Sequence, residues 1–265
     1  MSKKYNLTLH KLDVDKLKIV KHLEKSQSKS IVDLRKKMPP IYDQGALGSC
    51  TSNALVAAYQ FLSPTFYGSR LFHYYNERVL DGDDVSIDDG STLEQGINVM
   101  IKYGICSEKS WSYKISNFAQ KPPNSCYTEA LKHKLISFAN IQNTASQMKA
   151  CLNAGYPFVV GICVYDSFET QSVALTGRVP MPKDSDNLLG GHAVLCVGYN
   201  DIEGVWIMRN SWGTSWGDKG YFYLPYGYLT DEYLASDLWK LMKVFRNPTP
   251  VEKKEMLMRG YTRKS

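Results

Sequence analysis

The sequence contains few cysteines, and none of them is arranged as a metal site. Its 265 residues include six cysteines, with no CxxC pair and no Cys/His cluster at zinc-binding spacing. Cys163 and Cys196 lie in apolar, strand-like runs, where a free cysteine usually packs as a small buried residue. Cys106 and Cys126 flank a proline-rich loop and would pair only in an oxidising compartment. The cysteine pattern therefore gives no zinc-finger spacing, and whether Cys106 and Cys126 pair stays open.

Long apolar runs are also missing. No stretch approaches the roughly 20 apolar residues that a membrane-spanning helix needs. The N-terminal sequence MSKKYNLTLHKLDVDKLKIV carries charges where a secretory signal peptide has its apolar region. Because no secretory targeting is visible, we expect a cytoplasmic location, or a virion location if the source is viral.

Charge is sparse and unevenly distributed. Charged residues make up 22% of the chain, and the formal net charge is +6. Residues 1–30 carry +5 and residues 246–265 carry +4, which leaves −3 on residues 31–245. Basic ends can contact nucleic acid or an anionic surface, but solvated tails are the simpler interpretation. We predict an N-terminal extension over 1–30, a folded domain over 31–245 and a basic C-terminal tail over 246–265, with no requirement for nucleic acid.

The pattern of apolar residues changes halfway along the chain. The first half predicts helices over 50–62, around 70–80 and over 91–103, the last with Ser91 or Thr92 as its cap. The second half has short β-rich runs separated by Gly, Pro and Asn, such as PFVVGICVY, HAVLCVGYN, GVWIMRNS and GYFYLP. This pattern predicts an α+β fold, with two subdomains that meet at a cleft.

Three residues have the chemistry of a thiol nucleophile and its partners. Cys50 ends the stretch DQGALGSC and starts a helix, whose N–H groups and dipole favour a thiolate. His192 in LLGGHAVLCVGYN is a candidate base, and Asn210 in MRNSWGTSWGDKGYFYL is a candidate acceptor that orients it. Each residue alone is more often structural. Their order is informative, because His192 follows Cys50 by 142 residues and precedes Asn210 by 18, a spacing typical of papain-like proteases.

Three blocks of sequence carry a specific resemblance. QGALGSC, GHAVLCVGY and NSWGTSWGDKGY resemble, in order, the nucleophile, histidine and asparagine blocks of papain-like (cathepsin-like) cysteine peptidases. The resemblance extends over residues 31–245, and the wording DQGALGSCTSNA is similar to the bacterial and viral branch of the family. It implies a papain-like fold, with a helical left half, a β-barrel-like right half and the active site between them.

The resemblance also implies roles for individual residues. Cys50 matches the nucleophile, His192 the general base and Asn210 the residue that orients the imidazole. Gln44, six residues before the nucleophile, matches the oxyanion-hole glutamine, and Trp212 matches the indole that shields the histidine–asparagine hydrogen bond.

Two further positions match substrate-contacting residues of the family. Trp216 matches a residue of the primed-side wall. Gly90, in DDGST, matches the glycine whose backbone pairs with an extended substrate. The family works without a metal or organic cofactor, so none is implied here.

The sequence departs from the family at the positions that usually form disulfides. Leu47 stands where relatives have a cysteine, Thr51 where they have an aromatic residue, and DDGST where they have Cys-Asn-Gly-Gly. The usual disulfide frame is therefore absent, as suits a reducing compartment. The N-terminal extension is shorter than the family's usual prosegment, and two interpretations stay open: it lies along its own cleft and blocks it, or it is a tail.

The stretch DGDDVSIDDGS carries five aspartates between positions 81 and 89. It fails the EF-hand pattern, because no glycine stands at the required position. A solvated turn is the simplest interpretation. A second interpretation is an acidic rim of the cleft that prefers basic residues in the substrate.

The sequence as a whole predicts a monomeric endopeptidase that acts on protein or peptide substrates through a thioester acyl-enzyme. The main alternative is a catalytically silent papain-fold protein that serves as a binding or structural module. A third is another acyl-transfer enzyme with a Cys-His-Asn set, although NSWGTSWGDKGY favours the peptidase.

Overall fold

A computed structural model describes residues 4–7 and 29–245. The predicted basic tail over 246–265 lies outside the described residues, as does most of the predicted extension, at 1–3 and 8–28. Within the described ranges, no helix has the length and apolar character needed to cross a membrane.

The described residues contain seven α-helices, seven β-strands and three short 3₁₀-helices. The helices are α1 Cys50–Leu62, α2 Arg70–Asp81, α3 Leu93–Lys102, α4 Asn124–Ala130, α5 Ala145–Asn153, α6 Gln171–Thr176 and α7 Tyr226–Thr230. The strands are β1 Ile31–Asp33, β2 Leu135–Asn140, β3 Phe158–Tyr165, β4 Leu188–Asn200, β5 Val205–Arg209, β6 Tyr221–Pro225 and β7 Ala235–Val244.

The helical half is organised around α1. Eleven of its thirteen residues are buried, so the helix is the central element of this half rather than an amphipathic surface helix. Helices α2 and α3 pack beside it, and each is capped at its N-terminus by a hydroxyl: Ser69 accepts from the N–H of Phe72, and Thr92 accepts from that of Gln95. Of the two predicted caps for α3, the structure therefore uses Thr92.

The second half is an antiparallel sheet with the strand order β2-β7-β3-β4-β5-β6, and β1 also pairs with β4. The central strands β3, β4 and β5 are apolar and almost completely buried, so the sheet's middle belongs to the core that α1 also contributes to. The fold is the predicted α+β, papain-like arrangement of a helical half and a sheet half.

Sheet register positions the candidate histidine and asparagine. His192 lies near the start of β4, opposite Ile162 of β3. Strand β5 pairs with β4 through Leu195 and Arg209, and Asn210 directly follows that strand. The antiparallel pairing of β4 and β5 therefore brings Asn210 close to His192.

The strand β7 is not indicated by the local pattern of its residues, although the family resemblance implies a late strand near Ala235 to Leu241. It pairs with both β2 and β3. Its residue Asp237 has a positive φ angle of +63°. Its sequence, ASDLWKLMKV, alternates too irregularly to indicate a strand by itself, and its position is fixed by long-range pairing.

Candidate active site

Cys50 is the first residue of α1 and is completely buried. The backbone N–H of Ala193, the residue after His192, lies near enough to the sulfur to favour its thiolate. The two candidate residues, one from each half of the fold, are thus brought together at the helix N-terminus.

Burial raises the pKa of the Cys50 thiol to about 12. The backbone N–H groups of Ala193, Thr51 and Cys50 itself favour the thiolate, and the charge of Glu77 disfavours it. The sequence-based expectation of a lowered pKa is therefore wrong for this closed arrangement, because the loss of water around the sulfur outweighs the helix N-terminus.

His192 and Asn210 form a direct hydrogen bond beneath an indole. The Nε2 atom of His192 lies 2.9 Å from Oδ1 of Asn210, and both residues are buried. Trp212 stacks on the imidazole, with ring centroids 4.9 Å apart and an interplanar angle of 26°. The indole keeps water away from the bond, which strengthens it.

Trp216 belongs to an aromatic cluster next to this pair. Its ring meets that of Trp212 edge-on at 4.8 Å and stacks on that of Phe168 at 5.8 Å. The cluster lies beside the histidine through Trp212, and the role of Trp216 in a primed-side wall stays a prediction.

Gln44 is held in one orientation by three hydrogen bonds. Its Oε1 accepts from Oγ of Ser211 at 2.6 Å, its Nε2 donates to the carbonyl of Leu47 at 3.0 Å, and its backbone N–H donates to the carbonyl of Ser211. The side chain is 1% exposed. The amide is therefore fixed within the loop that leads to Cys50.

A polar clamp, consisting of Arg70 and Tyr113, holds the outside of the same loop. The hydroxyl of Tyr113 donates to the carbonyl of Gln44 at 3.0 Å and lies 2.6 Å from Oγ of Ser49. The guanidinium of Arg70 lies 4.0 Å from the ring centroid of Tyr113 and donates to the carbonyl of Asp43. The clamp was not predicted from the sequence, because its members lie up to 69 residues from the loop.

Noncovalent contacts stand where relatives have the disulfide frame. All six cysteines are free thiols. Leu47 packs in a buried cluster with Leu71 and Tyr74. Thr51 donates to Oε2 of Glu77 at 2.7 Å, inside the protein. The loop before Cys50 is therefore held by packing and hydrogen bonds.

Cys106 and Cys126 lie in one buried cluster with Phe72, and neither is in a disulfide. Burial raises the pKa of both thiols, so the two sulfurs are protonated at neutral pH.

Replacing Tyr113 with phenylalanine tests the clamp. The change removes one hydroxyl that serves both Gln44 and Ser49, and a lost hydrogen bond of this kind corresponds to about a tenfold effect. We expect kcat to fall by about that factor, with KM changed little, in steady-state assays. The control is Tyr233→Phe, at a tyrosine that is 76% exposed. Equal kcat in both variants would show that the clamp has no role in turnover.

Residues 4–7 lie in the cleft between the two halves. Asn6 bridges to Gly191 on the sheet side, and Leu7 bridges to Ser91 on the helical side. The N–H of Leu7 donates to the carbonyl of Gly191 at 3.2 Å, and Leu7 is buried. This four-residue piece is named the cleft segment below.

The cleft segment also covers the histidine. The ring of Tyr5 meets the imidazole of His192 edge-on at 6.1 Å and the indole of Trp212 at 5.9 Å, and its hydroxyl donates to Glu169. Burial raises the pKa of Tyr5, and the bond to Glu169 raises it further, so the phenol stays neutral. No feature of the sequence KYNL pointed to this placement.

Glycines make room for the segment's backbone. A Cβ on Gly90, whose φ is +82°, would lie 1.9 Å from the carbonyl oxygen of Asn6, and one on Gly191 would lie 2.4 Å from that of Leu7. Only glycine permits such an approach. Gly90 therefore lies directly against the backbone of the cleft segment, and its pairing with a substrate stays a prediction.

Comparisons with known proteins agree with this geometry. The model of the family described as papain family cysteine protease matches residues 28–233. A peptidase C1-like protein of Acanthamoeba polyphaga mimivirus is 40% identical over 257 residues, which cover 90% of this chain and 82% of that protein. More distant curated relatives are 25–29% identical, and the chain spans 55–63% of their length.

Solved structures show the same relationship. The crystal structure of xylellain, a cysteine protease from Xylella fastidiosa, matches with a TM-score of 0.83 and 38% identity, covering 90% of this chain and 96% of that one. Procathepsin L 3 of Tenebrio molitor shares the fold at 21% identity and a TM-score of 0.67, over 85% of this chain and 74% of that one. With its matching family model, its viral relative and its bacterial structural counterpart, the chain belongs to the papain family of cysteine proteases.

Proposed function

We propose that the protein is an endopeptidase in which Cys50 is the nucleophile, His192 the general base and acid, and Asn210 the residue that orients the imidazole. The observation that carries the proposal is the His192–Asn210 hydrogen bond of 2.9 Å, covered by Trp212, next to the N–H of Ala193 that favours the thiolate. The same geometry supports Trp212 and Trp216 as supporting residues and Gln44 as the oxyanion-hole donor.

The reaction uses these residues in two stages. The thiol proton of Cys50 moves to His192, and the thiolate attacks the substrate carbonyl to give a tetrahedral oxyanion. The backbone N–H of Cys50 and Nε2 of Gln44 stabilise that oxyanion, and His192 then gives its proton to the leaving amine. Water, deprotonated by His192, attacks the thioester and releases the acid, which restores the thiol.

Endopeptidase action follows from how the cleft accommodates a chain. Four consecutive residues occupy it, with further residues of the chain on both sides. A cleft that accepts the middle of a polypeptide can accept an internal peptide bond. A peptide blocked at both ends should therefore be cleaved. An exopeptidase would leave that peptide intact. A catalytically silent papain-fold protein would leave both the peptide and unfolded casein intact.

We also propose that the cleft segment inhibits the enzyme and that Gly90 binds substrate backbone in its place. Within the segment, Leu7 is buried and its N–H donates to the carbonyl of Gly191, and the ring of Tyr5 covers His192. A substrate needs the same space, so the two compete. Residues 1–30 would then act as a short inhibitory prosegment in front of the peptidase domain over 31–245. The monomeric state, the tail over 246–265 and the cytoplasmic or virion location stay predictions.

Replacing Leu7 with aspartate should activate the full-length protein. The change puts a charge in an apolar site and loses about 2 kcal/mol of side-chain burial, which corresponds to roughly 30-fold weaker occupancy of the cleft. We expect the initial rate of casein hydrolysis to rise by about tenfold or more. The control is Leu131→Asp, at a leucine that is 56% exposed. Equal initial rates in the two variants would contradict inhibition by the segment.

A further inference from the structure

Asp88 binds the backbone of the loop that carries the nucleophile. Its carboxylate accepts the backbone N–H of Gly48 at 3.1 Å from each oxygen, and Oδ1 accepts the hydroxyl of Tyr74 at 2.5 Å. Gly48, which these bonds join to the carboxylate, is two positions before Cys50 in the sequence. Asp88 itself is two positions before Gly90. Asp88 is therefore a fixed negative group on the wall of the cleft.

The cleft segment presents donors to this wall. The ammonium of Lys4 forms an ion pair with Oδ2 of Asp88 at 2.6 Å, and Nδ2 of Asn6 donates to the carbonyl of Asp88 at 2.7 Å. A Cβ on Gly48 would lie 2.9 Å from the same Nδ2 atom, so the side chain of Asn6 fills the space between Gly48 and Asp88. The amide of Asn6 and the ammonium of Lys4 thus both bind Asp88. A single Lys or Arg side chain that started from the position of Asn6 would reach the same carboxylate.

The stretch around Asp88 is acidic, and Arg78 donates to the carbonyls of Val85 and Ile87 within it. Asp83 has its pKa raised above the ordinary value by partial burial and by the charges of Asp81 and Asp89. The side chain of Asp88 is 9% exposed, and Lys4 is its ion-pair partner among residues 4–7 and 29–245. Departure of the segment leaves a partly buried carboxylate in an acidic stretch, which favours a cation from the substrate.

The geometry also identifies the substrate residue concerned. Asn6 is the segment residue bridged to Gly191, which directly precedes His192. We take a substrate to follow the path of the cleft segment, with the residue whose carbonyl Cys50 attacks in the place of Asn6 beside the same glycine. Its side chain then takes the space between Gly48 and Asp88.

From these contacts we propose that Asp88 determines substrate specificity, by selecting peptides with Lys or Arg at the residue that supplies the scissile carbonyl. The proposal rests on the peptidase function proposed above. Within the acidic stretch, Asp88 is then the residue with a function. Its carboxylate binds the basic side chain of the substrate in the place of Lys4.

The test uses two peptides that differ only in Lys or Gln at the scissile residue, with the full-length Leu7→Asp protein as enzyme. We expect kcat/KM to be about tenfold higher for the Lys peptide. Adding Asp88→Asn, which keeps an acceptor for Gly48, should bring the ratio close to one. The matched control is Asp83→Asn, an exposed aspartate of the same stretch, which should keep the ratio. An unchanged ratio in the Asp88→Asn protein overturns the proposal.

A second measurement decides the case in which Asp88→Asn cleaves neither peptide. An ion pair weakens with ionic strength, so the Lys/Gln ratio of the Leu7→Asp protein should fall between about 0.05 and 0.5 M salt. A ratio that stays constant contradicts a charge on Asp88 as its cause. Cleavage of both peptides at equal rates overturns the specificity alone, whereas failure to cleave either peptide or casein overturns the peptidase function itself.

Discussion

Replacing Cys50 with alanine in the Leu7→Asp protein is expected to lower kcat/KM on casein or a blocked peptide by on the order of 10⁵-fold. The sulfur is the atom that forms the acyl-enzyme, and no other cysteine shares its position at the start of α1 beside Ala193. The fold should remain, because the change removes one small side-chain atom from a site held by neighbouring contacts.

The matched control is Cys151→Ala. Cys151 is also a buried free thiol, but it lies on α5 and its sulfur donates to the carbonyl of Tyr156. We expect its turnover to stay close to that of the parent protein. Loss of activity in both variants would point to unfolding, and activity retained in Cys50→Ala would remove Cys50 from the mechanism.

Replacing Gln44 with alanine should lower kcat by about 100- to 1000-fold, with Cys50 still reactive toward a thiol reagent. The side chain is fixed by Ser211 and by the carbonyl of Leu47, so the amide is in place before the oxyanion forms. Steady-state kinetics measures the loss, and titration with an epoxide inactivator counts the intact thiol.

Two further variants define the origin of that loss. Ser211→Ala removes the donor to Oε1 but keeps the amide, so its effect should be smaller, about tenfold. Gln120→Ala, at an exposed glutamine, should have no effect on kcat. If Gln44→Ala turned over as fast as Gln120→Ala, the oxyanion would have to be stabilised by backbone groups alone.

The sequence predicted the elements that carry the candidate site, because those elements depend on local patterns. The helix over Cys50–Leu62 was predicted with the bounds that the structure has, and the apolar runs containing His192 and preceding Asn210 form β4 and β5. The spacing of these three residues led to the family, which the comparisons then showed.

The residues that hold the site in place were not predicted, because they act across long separations in the chain. Tyr113, Arg70 and Ser211 reach the loop before Cys50 from other elements, and each is an ordinary polar residue in its own stretch of sequence. Asp88 is one of five aspartates for which the sequence left a solvated turn and an acidic rim open, and no local pattern separates it from the other four. Tertiary packing, rather than local pattern, gives each of them its contact.

The cleft segment shows the same limit more strongly. The sequence left open whether residues 1–30 block the cleft, since Lys4, Tyr5 and Asn6 carry no helical or strand periodicity. Their placement depends on the glycines that line both sides of the cleft. The thiol pKa was mispredicted for a related reason, because the burial of Cys50 is a tertiary effect.

The most direct test of the account is the site and rate of labelling by an epoxide thiol inactivator of papain-family enzymes. Full-length protein and its Leu7→Asp variant are incubated with the reagent, and the adduct is located by peptide mass. If Cys50 is the nucleophile and the cleft segment covers it, we expect a single adduct on Cys50. It should form at least about tenfold faster in the Leu7→Asp protein. An adduct on another cysteine, or none in either protein, would contradict it.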